Sequence, residues 1–384
     1  MLSSDDKGMN VLLNFWKKNY LQEYIPYGGS KIKFVTGRKG SGKTYFLNAF
    51  QKQAEELGYI TVNFSAKHIW LNDFREIYLE ILRQADIENR LHECADQIIR
   101  QMGDDPARVP EGRTYIDWLA SQDRATILNK KQIRDELSQM FLNNPHLDHN
   151  FAIACSIMTA GFLGHPSLDE QSKEIYLGWL KGDKTIKLAT FRAAGLIPTR
   201  ITKYNARHML RSLAEVIHIG GHPGLVVTVD DLDVLQDKSG LEDVHYASVR
   251  REDTYESIRQ LIDEIDTMHY IMFVYGFDRA LIDNEKAGLK SYQALWMRVQ
   301  NEVVSQRFNC FSDIADLDQM ASQMYSAEYL VEMSRSFSEH ASRNAGVINA
   351  EQANEILQKS QYGTTGIAEL VRNITLGKGD DTHE

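Results

Sequence analysis

The sequence has 384 residues, of which 43% are hydrophobic and 25% are charged, and its formal net charge at pH 7 is −10. This composition is typical of a globular protein of two or three domains, and it excludes a chain that is disordered over most of its length. The negative charge excludes a surface that attracts nucleic acid as a whole, so any contact with DNA or RNA requires a local basic patch or an assembled oligomer.

The cysteines and the apolar segments predict a cytoplasmic protein. Cys94, Cys155 and Cys310 are far apart and odd in number, which argues against a disulfide framework, and they lack the spacing of metal ligands. The first ten residues contain neither the basic nor the apolar region of a secretion signal. The longest apolar run, residues 151–164, is too short to cross a membrane and fits a buried helix. We therefore expect no contact with a membrane.

The N-terminal part predicts a helix, a strand and a glycine-rich turn, in that order. Residues 10–24 have the apolar spacing of an amphipathic helix, and residues 31–36, KIKFVT, have the composition of a strand. Residues 37–44 read GRKGSGKT, and a helix-forming sequence follows them. In this context the motif G-x-x-x-x-G-K-[ST] predicts a phosphate-binding loop. The alternative is a chance match in a glycine-rich loop.

The residue types of this loop suit the phosphates of a nucleotide. Glycines adopt the backbone angles that turn successive N–H groups towards a phosphate, and the helix that follows adds the positive end of its dipole. We expect Lys43 to bind the β- and γ-phosphates of ATP, and the Thr44 hydroxyl to bind Mg²⁺. The residues expected to contact the nucleotide are Gly37, Lys39, Gly40, Ser41, Gly42, Lys43, Thr44 and Tyr45.

A second strand and a long helical region follow the loop. Residues 59–65 alternate β-branched and aromatic side chains with others, which predicts a strand. Residues 71–216 contain several segments with apolar side chains at intervals of three and four, which predicts a large helical insertion without internal repeats.

Residues 224–231, GLVVTVDD, predict a buried strand that ends in acidic residues. The carboxyl ends of parallel strands face the ligand, so we expect Asp230 to hold Mg²⁺ and Asp231 to polarise the attacking water. The alternative is a buried strand that ends in a solvated acidic turn.

The last strands complete a predicted five-stranded sheet. Residues 269–277 predict a buried strand after a helix at 255–268, and residues 308–314 predict a weaker fifth strand. ATPases of the additional-strand class place a sensor of the γ-phosphate at the exit of such a fourth strand. Tyr275 or Asp278 is the candidate here, and an ordinary strand terminus is the alternative.

The predicted fold is α/β, namely a P-loop NTPase with a five-stranded, mainly parallel sheet of the additional-strand, AAA+-like class. One predicted strand separates the loop strand from the strand with Asp230 in sequence, and this count favours the class that inserts a further strand between those two in space. The predicted domains are an N-terminal helical preface at 1–30, two halves of the core at 31–70 and 217–315, the helical insertion at 71–216, and a C-terminal helical lid with an acidic tail at 316–384.

The order of these motifs resembles that in the ATP-binding proteins of bacterial BREX phage-exclusion loci, which are AAA+-like ATPases related to origin-recognition and loader proteins. The resemblance is carried by GGSKIKFVTGRKGSGKTYFLNAF, YLGWLKGD, RHMLRSLAEVIHIGGHPGLVVTVDDLD, YESIRQLIDEI and SYQALWMRV, with a weaker match at GIAELVRNI. Of these segments only the glycine-rich loop is specific by itself, and the order and spacing of the others carry the rest.

The resemblance implies a Mg²⁺-dependent ATPase of an antiphage defence system, which forms a homo-oligomer and acts with other defence proteins and with DNA as a candidate partner. AAA+ ATPases complete their site with an arginine from a neighbouring subunit. Arg298 is the preferred candidate for this role and Arg307 is the other. Arg372, in GIAELVRN, is the candidate for a lid arginine that acts within its own chain. Each of the three is otherwise an ordinary surface arginine.

Two positions depart from the pattern of the family. Asp231 stands where Glu is more usual, and Lys39 stands where an aromatic residue is common. The shorter acid leaves two functions open: an ATPase that remodels DNA or a partner protein, and an ATP-binding oligomerisation switch that signals to an effector with little or no hydrolysis. A kinase of small molecules would need an acceptor base that the sequence does not offer. The basic doublets at 17–18 and 250–251 are expected to be solvated, so DNA binding rests on the resemblance.

Overall fold

A computed structural model describes the chain over five ranges: residues 8–237, 241–299, 307–341, 345–360 and 363–377. The acidic tail predicted after Gly377 lies outside the described residues. Within them the chain forms an α/β fold, as the sequence predicts, with one parallel sheet and helices packed on both of its faces.

The strands confirm the predicted sheet and its additional strand. In chain order they are β1 (Ser30–Gly37), β2 (Ile60–Ser65), β3 (Leu225–Asp230), β4 (Ile271–Asp278) and β5 (Ile314–Asp316). Their order across the sheet is β2-β3-β4-β1-β5, and all neighbours run parallel. β4 therefore lies in space between β1 and β3, which carry the glycine-rich loop and the acidic pair at their carboxyl ends.

The predicted position of the fifth strand is wrong. The sequence predicts residues 308–314, whereas β5 begins at Ile314, ends at Asp316 and pairs only with β1. Ahead of β5, the carbonyl of Asp313 still accepts from the N–H of Phe34 in β1 at 2.7 Å, whereas the carbonyls of Phe311 and Ser312 accept from Lys33 Nζ at 2.6 and 2.8 Å.

The helices are also close to the predicted segments. In chain order they are α1 (Met9–Trp16), α2 (Lys43–Glu56), α3 (Phe74–Ala85), α4 (Ile87–Gln101), α5 (Tyr115–Ala120), α6 (Ile127–Leu137), α7 (His149–Leu163), α8 (Glu170–Leu180), α9 (Leu188–Ala193), α10 (Ala206–Ile219), α11 (Ser248–Glu264), α12 (Ala280–Asp283), α13 (Gln293–Val299), α14 (Leu317–Met324), α15 (Ala327–Glu339), α16 (Ala350–Ser360) and α17 (Ile367–Thr375). A wider helical turn at Lys17–Gln22 extends α1. No helix in the described ranges has both the length and the apolar character needed to cross a membrane.

Both faces of the sheet are buried, which explains the unbroken apolar runs of its strands. In β4, Ile271 and Phe273 belong to one core cluster, while Met272 and Val274 belong to the other. The first cluster includes the helices of the insertion, and the second includes α1, α2 and the C-terminal helices. A strand of a parallel sheet needs apolar side chains in both directions when helices cover both faces.

The insertion is anchored by the two helices at its ends. α3 follows β2 and packs on it, and α10, which leads into β3, packs on α3. α7, the predicted buried helix, then contacts α4, α5, α6, α8 and α10. The long helical segment therefore forms one packed body beside β2, at an edge of the sheet.

Candidate nucleotide site

The glycine-rich loop between β1 and α2 is folded tightly on itself. Gly40 and Gly42 have φ angles of 78° and 98°, in the left-handed region that strains other residues. A Cβ on Gly37 would lie 2.4 Å from the Oγ of Ser41, so a side chain does not fit there. The loop ends at the N-terminus of a 14-residue helix, where free backbone N–H groups and the helix dipole favour a bound anion.

Lys43 is the first residue of α2, and its ammonium group lies inside the loop. Its Nζ is 2.8 Å from the carbonyl oxygen of Gly37 and 3.0 Å from that of Arg38, and it lies 3.6 Å from Oδ2 of Asp278. These oxygens hold a positive charge beside the N–H groups of the loop. Phosphate oxygens can replace the carbonyls as partners of this ammonium group without a change of the helix.

Thr44 and Asp230, the two predicted Mg²⁺ ligands, are in contact. The Thr44 hydroxyl donates to Oδ2 of Asp230 at 2.6 Å, and Oδ1 of Asp230 accepts from the N–H of Asp231 at 2.8 Å. A glycine in β4 leaves space for this carboxylate, since a Cβ on Gly276 would lie 2.9 Å from Asp230 Oδ1.

The oxygens of Thr44 and Asp230 fit a magnesium ion. Mg²⁺ prefers oxygen ligands, and in phosphate sites it takes one or two protein groups together with waters and phosphate oxygens. A hydroxyl and a carboxylate oxygen 2.6 Å apart can both bind one such ion. The donor set is therefore suitable for Mg²⁺ bound together with the nucleotide.

Asp231 directly follows β3, and both of its carboxylate oxygens have partners. Oδ2 accepts from the Ser65 hydroxyl at 2.7 Å, and Oδ1 lies 3.1 Å from Nζ of Lys67. Burial lowers the pKa of Lys67, but its hydrogen bond to Asp231 and the nearby negative charges outweigh burial, so the pKa is raised overall. Asp231 is thus paired with a lysine that remains protonated.

The two sensor candidates at the exit of β4 have different environments. Asp278 lies at the site beside Lys43, and its backbone N–H donates to Oδ1 of Asp233 at 3.0 Å. Burial raises the pKa of Asp233. Tyr275 is only 2% exposed and stacks on Phe34 within the core. Of the two candidates, the structure brings Asp278 alone to the loop.

These side chains line a cavity of about 840 Å³, which is within the size range of small-molecule sites. Lys39 and Tyr45 lie at its border; the Lys39 side chain is exposed and the Tyr45 side chain is 66% exposed. A larger cavity of about 1270 Å³ adjoins it and shares Asp278, with Arg38 and Arg279 among its lining residues. Only the smaller of these two contains the ammonium group of the loop lysine and the acidic pair.

The C-terminal helices contact the loop through backbone hydrogen bonds. The N–H of Gly366 donates to the carbonyl of Lys39 at 2.8 Å, and the N–H of Glu369 donates to the carbonyl of Gly40 at 3.0 Å. A Cβ on Gly366 would lie 2.2 Å from the backbone nitrogen of Ser41. The start of α17 therefore rests directly on the loop.

Arg38 adds a side-chain link between the loop and the C-terminal helices. Its Nε lies 3.2 Å from Oδ2 of Asp318 in α14. Its guanidinium also donates to the carbonyl of Ser360 at 2.7 Å and to that of Gly363. One residue of the loop thus binds α14 and the segment that precedes α17.

The three candidate arginines lie at separate places. Arg298 binds Asp263 of its own chain and the carbonyl of Ala294. Arg307 lines the larger cavity, and Arg372 is exposed on α17, three residues after the residue that contacts Gly40. Their roles towards a nucleotide stay predictions.

The comparison with known families agrees with this site. Residues 19–371 match the family described as BREX system ATP-binding protein BrxC/D. The chain belongs to this family. The match includes the loop, the acidic pair and the first five residues of α17, and it confirms the resemblance noted in the sequence. BREX membership gives the chain ATP as its ligand and phage defence as its context. No curated protein matches the chain.

Sequence reasoning missed three residues of this BREX site, namely Arg38, Ser65 and Lys67. A usable signal existed for Ser65, because a polar residue at the carboxyl end of a strand next to β3 has to lie near the acidic pair. Arg38 and Lys67 lie in irregular segments whose partners are distant in sequence. No local pattern indicates these contacts.

Proposed function

We propose that this chain is a Mg²⁺-dependent ATPase of a cytoplasmic antiphage defence system, which couples ATP binding and hydrolysis to the remodelling of DNA or of a partner protein. The observation that carries the proposal is the convergence of Lys43, Thr44, Asp230 and Asp231 at one cavity. These residues come from the loop helix and from the end of β3. Family membership supports ATP as the ligand.

The chemistry follows from what each group can do. The loop N–H groups and Lys43 bind the phosphates and neutralise the charge that develops on the transferred phosphoryl group. Thr44 and Asp230 would hold Mg²⁺, which would supply positive charge beside the phosphates. Asp231 accepts a hydrogen bond from the attacking water and orients it. Asp278 lies close enough to Lys43 to keep its ammonium group in the loop.

A second copy of the chain is proposed to complete the site. In this scheme Arg298 of a neighbouring subunit reaches the γ-phosphate, because a guanidinium stabilises charge on phosphate oxygens. Arg372 is proposed to act on the nucleotide of its own chain, since it lies on the helix that rests on the loop. The partners of such an oligomer would be other proteins of the defence system and DNA.

The contacts of Asp231 favour a second candidate function, the ATP-binding switch. Ser65 and Lys67 each bind one carboxylate oxygen, and the charge of Lys67 weakens Asp231 as an acceptor for a water molecule. If this ion pair persists, ATP binds without rapid hydrolysis. The C-terminal helices then report the bound nucleotide to an effector through their contacts with Lys39 and Gly40.

Steady-state ATP turnover and ATP affinity of four proteins separate these functions. We compare the wild type with Lys43→Ala, Asp231→Asn and the control Lys52→Ala, each with and without duplex DNA. Lys52 is exposed on the same helix as Lys43. We expect Lys43→Ala to lose ATP binding, Asp231→Asn to bind ATP but turn over about 100-fold or more slowly, and the control to behave as the wild type.

Two results would contradict the ATPase. Tight ATP binding without turnover by the wild type, with and without DNA, would favour the switch. Turnover by Asp231→Asn at the wild-type rate would show that Asp231 takes no part in ATP hydrolysis.

A further inference from the structure

One segment of the insertion has a charge opposite to that of the chain. Residues 181–211 contain eight lysines and arginines and a single acid, Asp183, whereas the whole chain has a net charge of −10. The carboxylate of Asp183 is used locally, because it accepts from the N–H and the hydroxyl of Thr185 at 2.7 and 2.8 Å. The segment therefore has nearly no internal compensation of its positive charge.

The cations of this segment have two different tasks. Arg200 and Arg207 are structural: Arg200 binds backbone carbonyls, and Arg207 pairs with Glu264 at 2.9 Å. Five others are exposed, and none of them forms an ion pair within the described part of the chain. They are Lys181, Lys184, Lys187, Arg192 and Lys203, and we call them the basic surface.

Hydrogen bonds bring the two ends of the segment together. The guanidinium of Arg75 donates to the carbonyl of Gly182 at 2.9 Å and to that of Ile201 at 3.2 Å. Arg200 donates to the carbonyls of Asp183 and Ile186, both at 2.9 Å. Both arginines therefore hold the backbone at 182–186, which lies among Lys181, Lys184 and Lys187, next to the backbone at 200–201, close in sequence to Lys203.

An exposed aromatic side chain lies among these cations. Tyr204 is 79% exposed, and Nζ of Lys203 lies 5.3 Å from the centre of its ring. Exposed rings beside lysines are the groups on which nucleic-acid bases stack while the cations bind phosphates.

We propose that the basic surface binds the phosphate backbone of nucleic acid without sequence preference. Five exposed cations without an ion pair in the described part of the chain attract a phosphate backbone, whereas the negative charge of the remaining chain repels it. This inference gives the DNA part of the proposed function a location, and it does not depend on hydrolysis.

The basic surface is also connected to the nucleotide site. Arg75, which binds both ends of the segment, is the second residue of α3, and the loop that leads into α3 contains Lys67, the partner of Asp231. A displacement of the basic surface by nucleic acid therefore acts, through Arg75 and this loop, on the lysine that holds Asp231. Nucleic acid bound here is expected to change the rate of ATP turnover.

Fluorescence anisotropy with a labelled single-stranded DNA at several salt concentrations tests the proposal on the full chain. Binding through five cations gives a slope of about −3 to −4 for log affinity against log salt, since each neutralised phosphate of a single strand contributes about −0.7. The double variant Lys184→Glu with Lys187→Glu is expected to lower the affinity about tenfold or more and to reduce the slope by about 1.5.

The control variant carries the same change of charge elsewhere. Lys17→Glu with Lys18→Glu alters the N-terminal helical extension, which belongs to the opposite face of the sheet. We expect it to bind DNA as the wild type does, and we expect both double variants to keep the ATP turnover measured without DNA. The variant Lys43→Ala is expected to bind DNA normally, so a failure of the ATPase proposal remains distinguishable from a failure of this one.

Three results would overturn the assignment. The first is an unchanged affinity and slope in the Lys184 and Lys187 variant. The second is an equal loss in both double variants, which would show that only total charge matters. The third is displacement of DNA by polyglutamate at equal charge concentration, which would assign the surface to an acidic protein.

Discussion

Asp231 is the residue on which the difference between a fast ATPase and a slow switch depends. Its carboxylate is bound by a hydroxyl from β2 and by Lys67, so it is held ready but is not free. A lysine in this position neutralises the charge that would otherwise attract and orient the water. In the proposed ATPase, the rate of hydrolysis would therefore depend on how easily this ion pair opens.

Removal of the lysine is expected to raise the turnover rate. Lys67→Met keeps most of the side-chain length but lacks the ammonium group that lies 3.1 Å from Asp231. If Asp231 orients the water, kcat should increase about three- to tenfold with little change in KM, because the carboxylate is then available as a base. Steady-state kinetics measure this, with Lys52→Met as the matched control. A loss of turnover as large as that of Asp231→Asn would instead indicate that Lys67 contacts the nucleotide during the reaction.

At the scale of residues, the sequence predicts those site residues that belong to a local motif. Lys43 and Thr44 follow from the spacing of one motif, and Asp230 follows from its place at the end of an apolar run. Of the two partners of Asp231, Ser65 is 166 positions away, and its only signal is its position at the carboxyl end of a strand next to β3. Lys67 lies in an irregular segment, and no local pattern indicates its contact with Asp231.

At the scale of elements, the contact of α17 with the glycine-rich loop links the nucleotide to the C-terminal helices. The contact consists of backbone hydrogen bonds at Lys39 and Gly40, together with the side chain of Arg38. The loop cannot change its shape on binding phosphate without changing these bonds. α17 and the loop therefore respond as one unit.

A methyl group at the start of α17 tests this link. Gly366 has a φ of −70°, which suits alanine, but the new Cβ would lie 2.2 Å from the backbone nitrogen of Ser41. Gly366→Ala should therefore push the helix from the loop, with a cost of about 1–3 kcal/mol as for other overpacked sites. We expect weaker ATP binding and a lower melting temperature.

The control for this substitution is Gly346→Ala, because nothing lies within 4 Å of a Cβ there. Calorimetric titration and thermal unfolding measure both effects. Wild-type ATP affinity in Gly366→Ala, despite the predicted clash, would show that the loop binds the nucleotide independently of α17.

The elements that the sequence predicts well are those in which the apolar side chains show a recognisable pattern along the element itself. The run of β4 and the helical segments of the insertion are long enough to show it, whereas β5 has three residues and one neighbour. The residues just before it contact Lys33, a buried lysine that donates to the carbonyls of Phe311 and Ser312. Such an interaction is tertiary and has no signature in the strand itself.

At the scale of the whole molecule, the proposal that a second copy of the chain completes the nucleotide site depends on Arg298. In the single chain this arginine is paired with Asp263. We expect Arg298→Ala to lower kcat about 100-fold or more while ATP binding is retained, because an arginine supplied by a neighbour acts on the transition state. Turnover kinetics measure the change in kcat, and the molecular mass with and without ATP shows whether the oligomer forms.

The variant Asp263→Asn separates this role from a structural one. It removes the charge that Arg298 binds within its own chain but leaves the arginine available to a neighbour. We expect it to keep most of the turnover. Equal losses in both variants, or a strict monomer in the presence of ATP, would show that Arg298 serves only its own fold.

The way in which the insertion joins the sheet has a consequence for how this family can diverge. α3 and α10 pack on each other, so the chain leaves the sheet after β2 and returns to β3 at a neighbouring point. Closing a loop whose ends already meet costs little more when it is lengthened. Relatives can therefore exchange, enlarge or shorten α4–α9 over evolution while the strands beneath them stay unchanged.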